Sequence, residues 1–145
     1  MQRTARDCAA LGWVKWGPVL CNVLGFELER DGPFTLHRLR WKLPDRPLLR
    51  HAADFYMHYS LYGHRHVFAQ PWAPVEMRLR DRPVAMAEYE RVFGCPVRTG
   101  FDCDEMVVES ELLDAPRPTY DPDSTAVLKP YFDANLEAMS KDMAT

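Results

Sequence analysis

The segment from Pro74 to Asp114 constrains the fold most, because its hydrophobic period changes several times within one short stretch. Val75, Met77 and Leu79 alternate with charged residues, which is typical of a half-buried strand. Pro83 follows and cannot donate a backbone N–H to a neighbouring strand. The pattern therefore predicts a strand that ends shortly before residue 83.

A helix and two further strands are predicted in the rest of this segment. Residues 84–93 carry apolar side chains at helical spacing, and Gly94 stands where a helix C-cap favours a left-handed residue. Extended stretches follow at residues 95–97 and 106–108, and we expect a turn between them over Phe101–Glu105. The segment is thus predicted as strand, helix, strand, strand.

A β-hairpin is predicted ahead of this unit. Residues 21–30 and 34–41 alternate apolar and polar side chains, and Asp31–Pro33 between them has the composition of a tight turn. In the second strand the alternation divides the side chains into two faces. One face carries Phe34, Leu36, Arg38 and Arg40, and the other Thr35, His37, Leu39 and Trp41.

Residues 48–68 are predicted to form the main helix, because apolar residues recur three and four positions apart. Few gaps interrupt this spacing, so we expect the helix to be buried on more than one side. The fold class is therefore α+β: an antiparallel or mixed sheet of about five strands, packed by one long helix and a shorter one. A β-barrel is the competing architecture, and the long helical run between the two groups of strands argues against it.

A last helix is predicted from Asp123 or Ser124 to about Met139, with a kink or a restart at Pro130. Its apolar stripe is too hydrophobic to be left in water. The stripe consists of Leu128, Phe132, Leu136 and Met139. We expect it to pair with a second chain, or to dock on its own domain or on another one.

Composition limits the possible functions. The 145 residues suffice for one domain, and the net charge of −3 argues against a nucleic-acid surface. The spacing of the four cysteines matches no zinc motif, and no apolar run has the length of a membrane span. We therefore expect a cytoplasmic protein with free thiols.

The sequence offers no catalytic residues and no metal ligands that fit a known motif. His51, His58, His64 and His66 lack metal-binding spacing, so surface or hydrogen-bonded histidines are the simpler interpretation, and haem ligation by His58 or His64 remains an alternative. The acids of the predicted turn, residues 102–105, are expected to be solvated. We therefore expect no cofactor and no metal.

Aromatic side chains with polar atoms are the best candidates for ligand contacts, since such side chains line effector pockets and orient a ligand. They lie in and around the long helix, where a pocket between helix and sheet would form. The predicted ligand-binding residues are Trp41, Tyr56, Tyr59, Tyr62 and Trp72.

Several stretches resemble one protein family. AEYERVFGCPVR (residues 87–98) and ELLDAPRP (residues 111–118) look like the N-terminal, arabinose-binding-like domain of AraC-family transcriptional regulators. The resemblance extends more weakly over most of the chain. It implies an effector-sensing domain at residues 1–118, a connector helix at residues 119–145 and a tendency to dimerise. DNA binding would require a helix-turn-helix domain, which is expected to begin where this chain stops.

The resemblance and the residues together predict a sensor that binds a small-molecule effector, forms a homodimer and catalyses no reaction. Two alternatives from other classes stay open. One is a haem- or metal-dependent sensor, and the other is a dimerisation module without a ligand.

Overall fold

The computed structural model describes residues 11–21, 23–42, 49–68, 71–115, 118 and 121–142. The helices and strands of the described residues follow one another in this order: α1 (Leu11–Leu20), β1 (Leu24–Asp31), β2 (Phe34–Trp41), α2 (Leu49–Phe68), β3 (Glu76–Leu79), α3 (Met86–Phe93), β4 (Val97–Thr99), β5 (Glu105–Glu109), α4 (Ser110–Asp114) and α5 (Pro122–Asp142).

The five strands form one open mixed sheet in the order β1-β2-β5-β3-β4. Strands β3 and β4 pair in parallel, and the other neighbours are antiparallel. The predicted α+β class and strand number are therefore confirmed, and the sheet is open rather than closed into a barrel.

The β1–β2 hairpin is confirmed in detail. Its register runs from Leu24 opposite Trp41 to Asp31 opposite Phe34. Gly32 in the connecting turn has a φ of 57°, which an L side chain adopts only at a cost. Glycine at this position thus allows the two strands to follow each other through a two-residue turn.

The connection between β4 and β5 differs from the predicted hairpin turn. Strand β5 pairs with β2 and β3, whereas β4 pairs with β3 at the edge of the sheet. Residues 100–104 therefore cross from the sheet edge past β3 into its centre. This position buries Asp104 and Glu105, so the expectation that these acids are solvated is wrong.

Helix α2 covers one face of the sheet with a stripe of small and apolar side chains that includes Ala53, Met57 and Leu61. The stripe packs against apolar residues of all five strands, namely Leu24, Phe26, Leu39, Met77, Leu79, Val97, Met106 and Val108. The outer side of the helix faces solvent, since Tyr59 and Tyr62 are 47 % and 64 % exposed. The prediction that α2 is buried on more than one side is therefore wrong.

The opposite face of the sheet carries paired charges. Glu105 is buried between two guanidinium groups: Arg38 Nε donates to it at 2.7 Å and Arg78 Nη1 at 3.0 Å. Arg40 in turn pairs with Glu27 of the neighbouring strand at 2.8 Å. These arginines neutralise acids of their own sheet, so they do not form a free basic surface.

A second ionic cluster joins α2 and α3 to the start of β5. Arg50 donates to Asp104 at 3.2 Å and also pairs with Asp54, which lies one helical turn further on. Tyr89 of α3 donates to the other oxygen of Asp54 at 2.5 Å, and the backbone N–H of Arg80 donates to Asp104 at 2.9 Å. Burial and the hydrogen bond to Asp54 raise the pKa of Tyr89 to about 12, so its hydroxyl remains a donor.

Helices α1 and α5 pack on each other at one end of the domain. The Trp16 ring stacks on Phe132 at a centroid distance of 5.9 Å, and Asp133 accepts from both Lys15 and Trp16. Helix α5 continues through Pro130, so the predicted restart there does not occur. The sequence also predicts a partly helical stretch over residues 1–12, of which residues 1–10 lie outside the described residues.

Candidate functional site

Three polar side chains meet inside the domain, between α2 and the hairpin. His37 lies on the apolar face of β2, opposite Leu28 of β1 and Met106 of β5. Ser60 and His64 lie one turn apart on the buried side of α2. All three of these polar side chains are buried, and the two imidazole rings have centroids 5.2 Å apart.

The hydrogen bonds of this cluster determine the tautomer of His64 and leave one nitrogen of His37 without a partner among the described residues. His64 Nδ1 lies 2.7 Å from the Ser60 carbonyl oxygen, which only accepts, so this nitrogen carries the hydrogen. His37 Nδ1 lies 3.4 Å from Ser60 Oγ, where either atom can donate. His37 Nε2 is buried and has no hydrogen-bond partner within the described part of the chain.

Both imidazoles are held in the neutral form. Burial lowers the pKa of His37 well below its usual range, and the proximity of His64 lowers it further. Burial also lowers the pKa of His64, although its hydrogen bond to the Ser60 carbonyl opposes this shift. At neutral pH the cluster therefore offers hydrogen-bonding groups without a net charge.

Aromatic rings enclose the two histidines. Phe26 meets the His37 ring edge-on at 4.7 Å, and Trp72 stacks on His64 at 5.4 Å with an angle of 24° between the planes. Phe68 meets both His64 and Trp72 edge-on. Arg65 Nε donates to the Trp72 carbonyl at 2.7 Å, which holds the segment after α2 against the helix.

The cluster places a few uncharged polar atoms among aromatic rings. A comparison with known families adds independent information. The sequence model for the N-terminal arabinose-binding domain of AraC transcription regulators matches residues 6–117. The chain belongs to this family.

A solved structure supports the same fold. The chain resembles the transcriptional regulator CdpR from Pseudomonas aeruginosa with a TM-score of 0.73 and 16 % sequence identity. The alignment covers 94 % of this chain and 45 % of the regulator, so the chain spans less than half of that protein. A search of curated proteins finds no match.

The five predicted ligand-binding residues fall into two groups in this AraC-type domain. Trp41, Tyr56 and Trp72 are partly buried and pack against the core, whereas Tyr59 and Tyr62 lie on the solvent side of α2. A hydrogen bond with Cys21 raises the pKa of Tyr56. The structure thus does not bring all five together, and their ligand contacts remain a prediction.

The sequence interpretation missed His37 and treated His64 only as an alternative haem ligand. A signal was present for both: His37 shares the alternating face of Leu39 and Trp41, and His64 follows Leu61 and Met57 at helical spacing. Histidines at such apolar positions are predicted to be buried. Nothing in the sequence, however, indicates that the two faces oppose each other, because that depends on how α2 crosses the sheet.

The described residues give little support to a shared metal site, a reactive thiol or a membrane-spanning helix. No group of three or more His, Cys, Asp and Glu side chains lies close enough for a shared metal ion among the residues that the structure describes. Burial raises the pKa of Cys95 to about 11, so its thiol remains protonated at neutral pH. No helix in the described ranges is both long and apolar enough to cross a membrane.

Proposed function

We propose that this chain is the effector-sensing domain of an AraC-type transcriptional regulator and binds a small molecule without catalysing a reaction. The family match over residues 6–117 is the observation that carries the proposal. The buried cluster of His37, Ser60 and His64 supports it, since uncharged polar groups inside aromatic walls are typical of ligand sites.

We assign three core-side aromatic residues to this proposed site. Trp72 stacks on His64 and therefore forms part of its wall. Tyr56 and Trp41 pack against the same core cluster as Phe26. We assign the effector contacts to this side of α2 and assign none to Tyr59 and Tyr62, which point to solvent.

We also propose that the domain forms a homodimer through α5. Part of the predicted stripe already packs within the chain, since Phe132 stacks on Trp16. Leu128 is 50 % exposed, and Val127 and Tyr131 beside it are also exposed. This open side of the stripe is the surface that a second copy would cover.

DNA recognition is assigned to a helix-turn-helix domain outside residues 1–145, and not to this chain. Arginines of the sheet, including Arg38, Arg40 and Arg78, are paired with carboxylates, and the net charge is −3. Paired arginines on the described sheet face and a negative net charge weigh against a phosphate-binding surface there. We place the domain in the cytoplasm, where such regulators act.

A thermal-shift screen over small metabolites tests the sensing proposal. A compound that binds the folded state raises the melting temperature by mass action, and the shift grows with concentration. We expect at least one compound class to stabilise the chain in this way. A screen without any concentration-dependent stabilisation would favour a dimerisation module without a ligand.

A further inference from the structure

One nitrogen atom of the candidate site lacks a partner. Among buried side-chain N and O atoms of the described residues, only His37 Nε2 has no hydrogen bond, and the His37 side chain is 2 % exposed. Nearly all buried polar groups in folded proteins are paired with protein, water or ligand. The unpaired nitrogen therefore leaves one hydrogen-bonding position of the site open for a partner other than the described residues.

The surroundings of His37 restrict the charge of that partner. Phe26 and His64 are its ring neighbours, and Ser60 is the polar group nearest to its other nitrogen. The ion pairs of the sheet lie on the opposite face. Arg65, next to His64 in sequence, donates to the carbonyls of Trp72 and Phe93. A charged ligand group would find no counter-charge among these described contacts of His37, and burying it would be costly.

We propose that this site binds an uncharged small molecule with one hydroxyl group on an aromatic frame, and that the hydroxyl pairs with His37 Nε2. A hydroxyl both donates and accepts, so it fits either tautomer of His37. The rings of Phe26, Phe68 and Trp72 around the two histidines favour an aromatic frame, because aromatic rings associate edge-on or stacked. This inference rests on the proposed sensing function and names the ligand chemistry of the same site.

Matched probes on three frames test the inference with the 145-residue chain. Phenol, naphthol and hydroxybiphenyl carry the hydroxyl; benzene, naphthalene and biphenyl lack it; benzoate, naphthoate and biphenylcarboxylate replace it with a charge. At least one hydroxyl probe is expected to bind about tenfold more tightly than its hydrocarbon and its carboxylate, the order of one buried hydrogen bond. It should also shift the NMR signal of His37 Nε2.

Two phenylalanine variants locate the effect. His37→Phe keeps an aromatic ring but removes both nitrogens, so the preference for the hydroxyl probe should disappear. His58→Phe changes an exposed histidine of α2, the helix that carries His64, and should retain the preference for the hydroxyl probe. Melting curves of both variants, recorded without probe, show whether each is folded.

Three outcomes would overturn the inference: no hydroxyl probe binds, a carboxylate binds best, or His37→Phe keeps the preference. A bound water on Nε2 that no probe displaces belongs to the first outcome. If metabolites stabilise the chain without moving the His37 signal, the sensing function stands and only this inference fails. If nothing stabilises the chain, both fail.

Discussion

His37 of strand β2 and His64 of helix α2 face each other inside the domain, with ring centroids 5.2 Å apart. Each is buried, and no described charged side chain hydrogen-bonds to either ring. The pair therefore links the interior of the sheet to the C-terminal half of the long helix through neutral imidazoles. The stability of the domain should consequently depend on pH near neutrality.

The first prediction is a loss of stability on mild acidification. Burial lowers the pKa of both histidines in the folded state, so the unfolded chain binds more protons once the pH falls below about 6.5. The free energy of unfolding should then decrease by up to about 1.4 kcal/mol per pH unit for each histidine, until the folded-state pKa is reached. Urea unfolding between about pH 7.5 and 5.5 measures this slope.

His37→Phe should reduce the dependence of the unfolding free energy on pH by the contribution of about one bound proton. Carboxylates contribute little in this range, because their protonation lies at lower pH. An equal slope in wild type and His37→Phe would show that His37 titrates normally in the folded protein.

The second prediction concerns the cluster that joins α2 to β5. Asp104→Ala removes the acceptor of Arg50 and of the Arg80 backbone N–H, and leaves a partly buried guanidinium with one partner fewer. The free energy of unfolding should decrease by about 2–4 kcal/mol. Asp102→Ala changes an exposed acid of the same β4–β5 connection, and its free energy of unfolding should stay within about 0.5 kcal/mol of the wild-type value.

Equal effects of the two aspartate variants in chemical denaturation would contradict this interpretation. Tyr89→Phe provides a further check on the other end of the cluster, since it removes only the hydrogen bond to Asp54. Tyr89→Phe should lower the free energy of unfolding by less, about 1 kcal/mol, because Asp54 keeps its ion pair with Arg50.

The contrast between Asp102 and Asp104 also shows where sequence reasoning ends. The local signals were sufficient for the hairpin, the helix α2 and the C-cap of α3, because a turn, a helical period and a glycine act within a few residues. The burial of Asp104 and Glu105 depends on β5 entering the sheet between β2 and β3. That pairing is non-local, and the short apolar run Met106–Val108 does not indicate which strands lie on either side of it.

The candidate site was less predictable than the fold for a related reason. Trp72, one of the predicted ligand-binding residues, stacks on His64, and its contact with a ligand stays a prediction. Tyr59 and Tyr62 share its residue type but lie on the solvent side, because spacing alone does not tell which side of a nearly continuous apolar helix meets the sheet. His37 reaches the site only through the register of β2.

The third prediction tests the C-cap of α3. Gly94 has a φ of 72°, and a Cβ atom there would lie 3.4 Å from Arg65 Nη2. Gly94→Ala should therefore lower the free energy of unfolding by about 1–2 kcal/mol. Gly17→Ala in α1 is the matched control, since a Cβ atom there has nothing within 4 Å. It should stabilise the chain by about 0.5–1 kcal/mol, as alanine favours helix interiors.

Both glycine variants are compared with wild type by thermal and urea unfolding at one pH. If Gly94→Ala leaves the free energy of unfolding unchanged, the chain leaves α3 by another backbone conformation.

The fourth prediction concerns the proposed dimer. Leu128→Asp combined with Tyr131→Asp places two charges on the open side of α5 and leaves Phe132 in contact with Trp16. Analytical ultracentrifugation should then show monomers, whereas wild type and the control Ala126→Asp, an exposed position on another side of α5, sediment as dimers. An unchanged thermal transition confirms that the sensor core remains folded.

A dimer that survives the double change would place the interface elsewhere on the domain. A wild-type chain that sediments as a monomer at all accessible concentrations would remove the dimer from the proposal and leave the sensing function untouched.

Calorimetric titration of the most stabilising compound from the metabolite screen tests the central claim, that this domain senses a small molecule inside its core. We predict saturable binding with one molecule per chain and a negative heat-capacity change, which is the mark of apolar burial. Binding should weaken in His37→Phe and stay unchanged in His58→Phe. Absence of saturable heat for every compound tested, or equal binding by the two variants, would contradict the account.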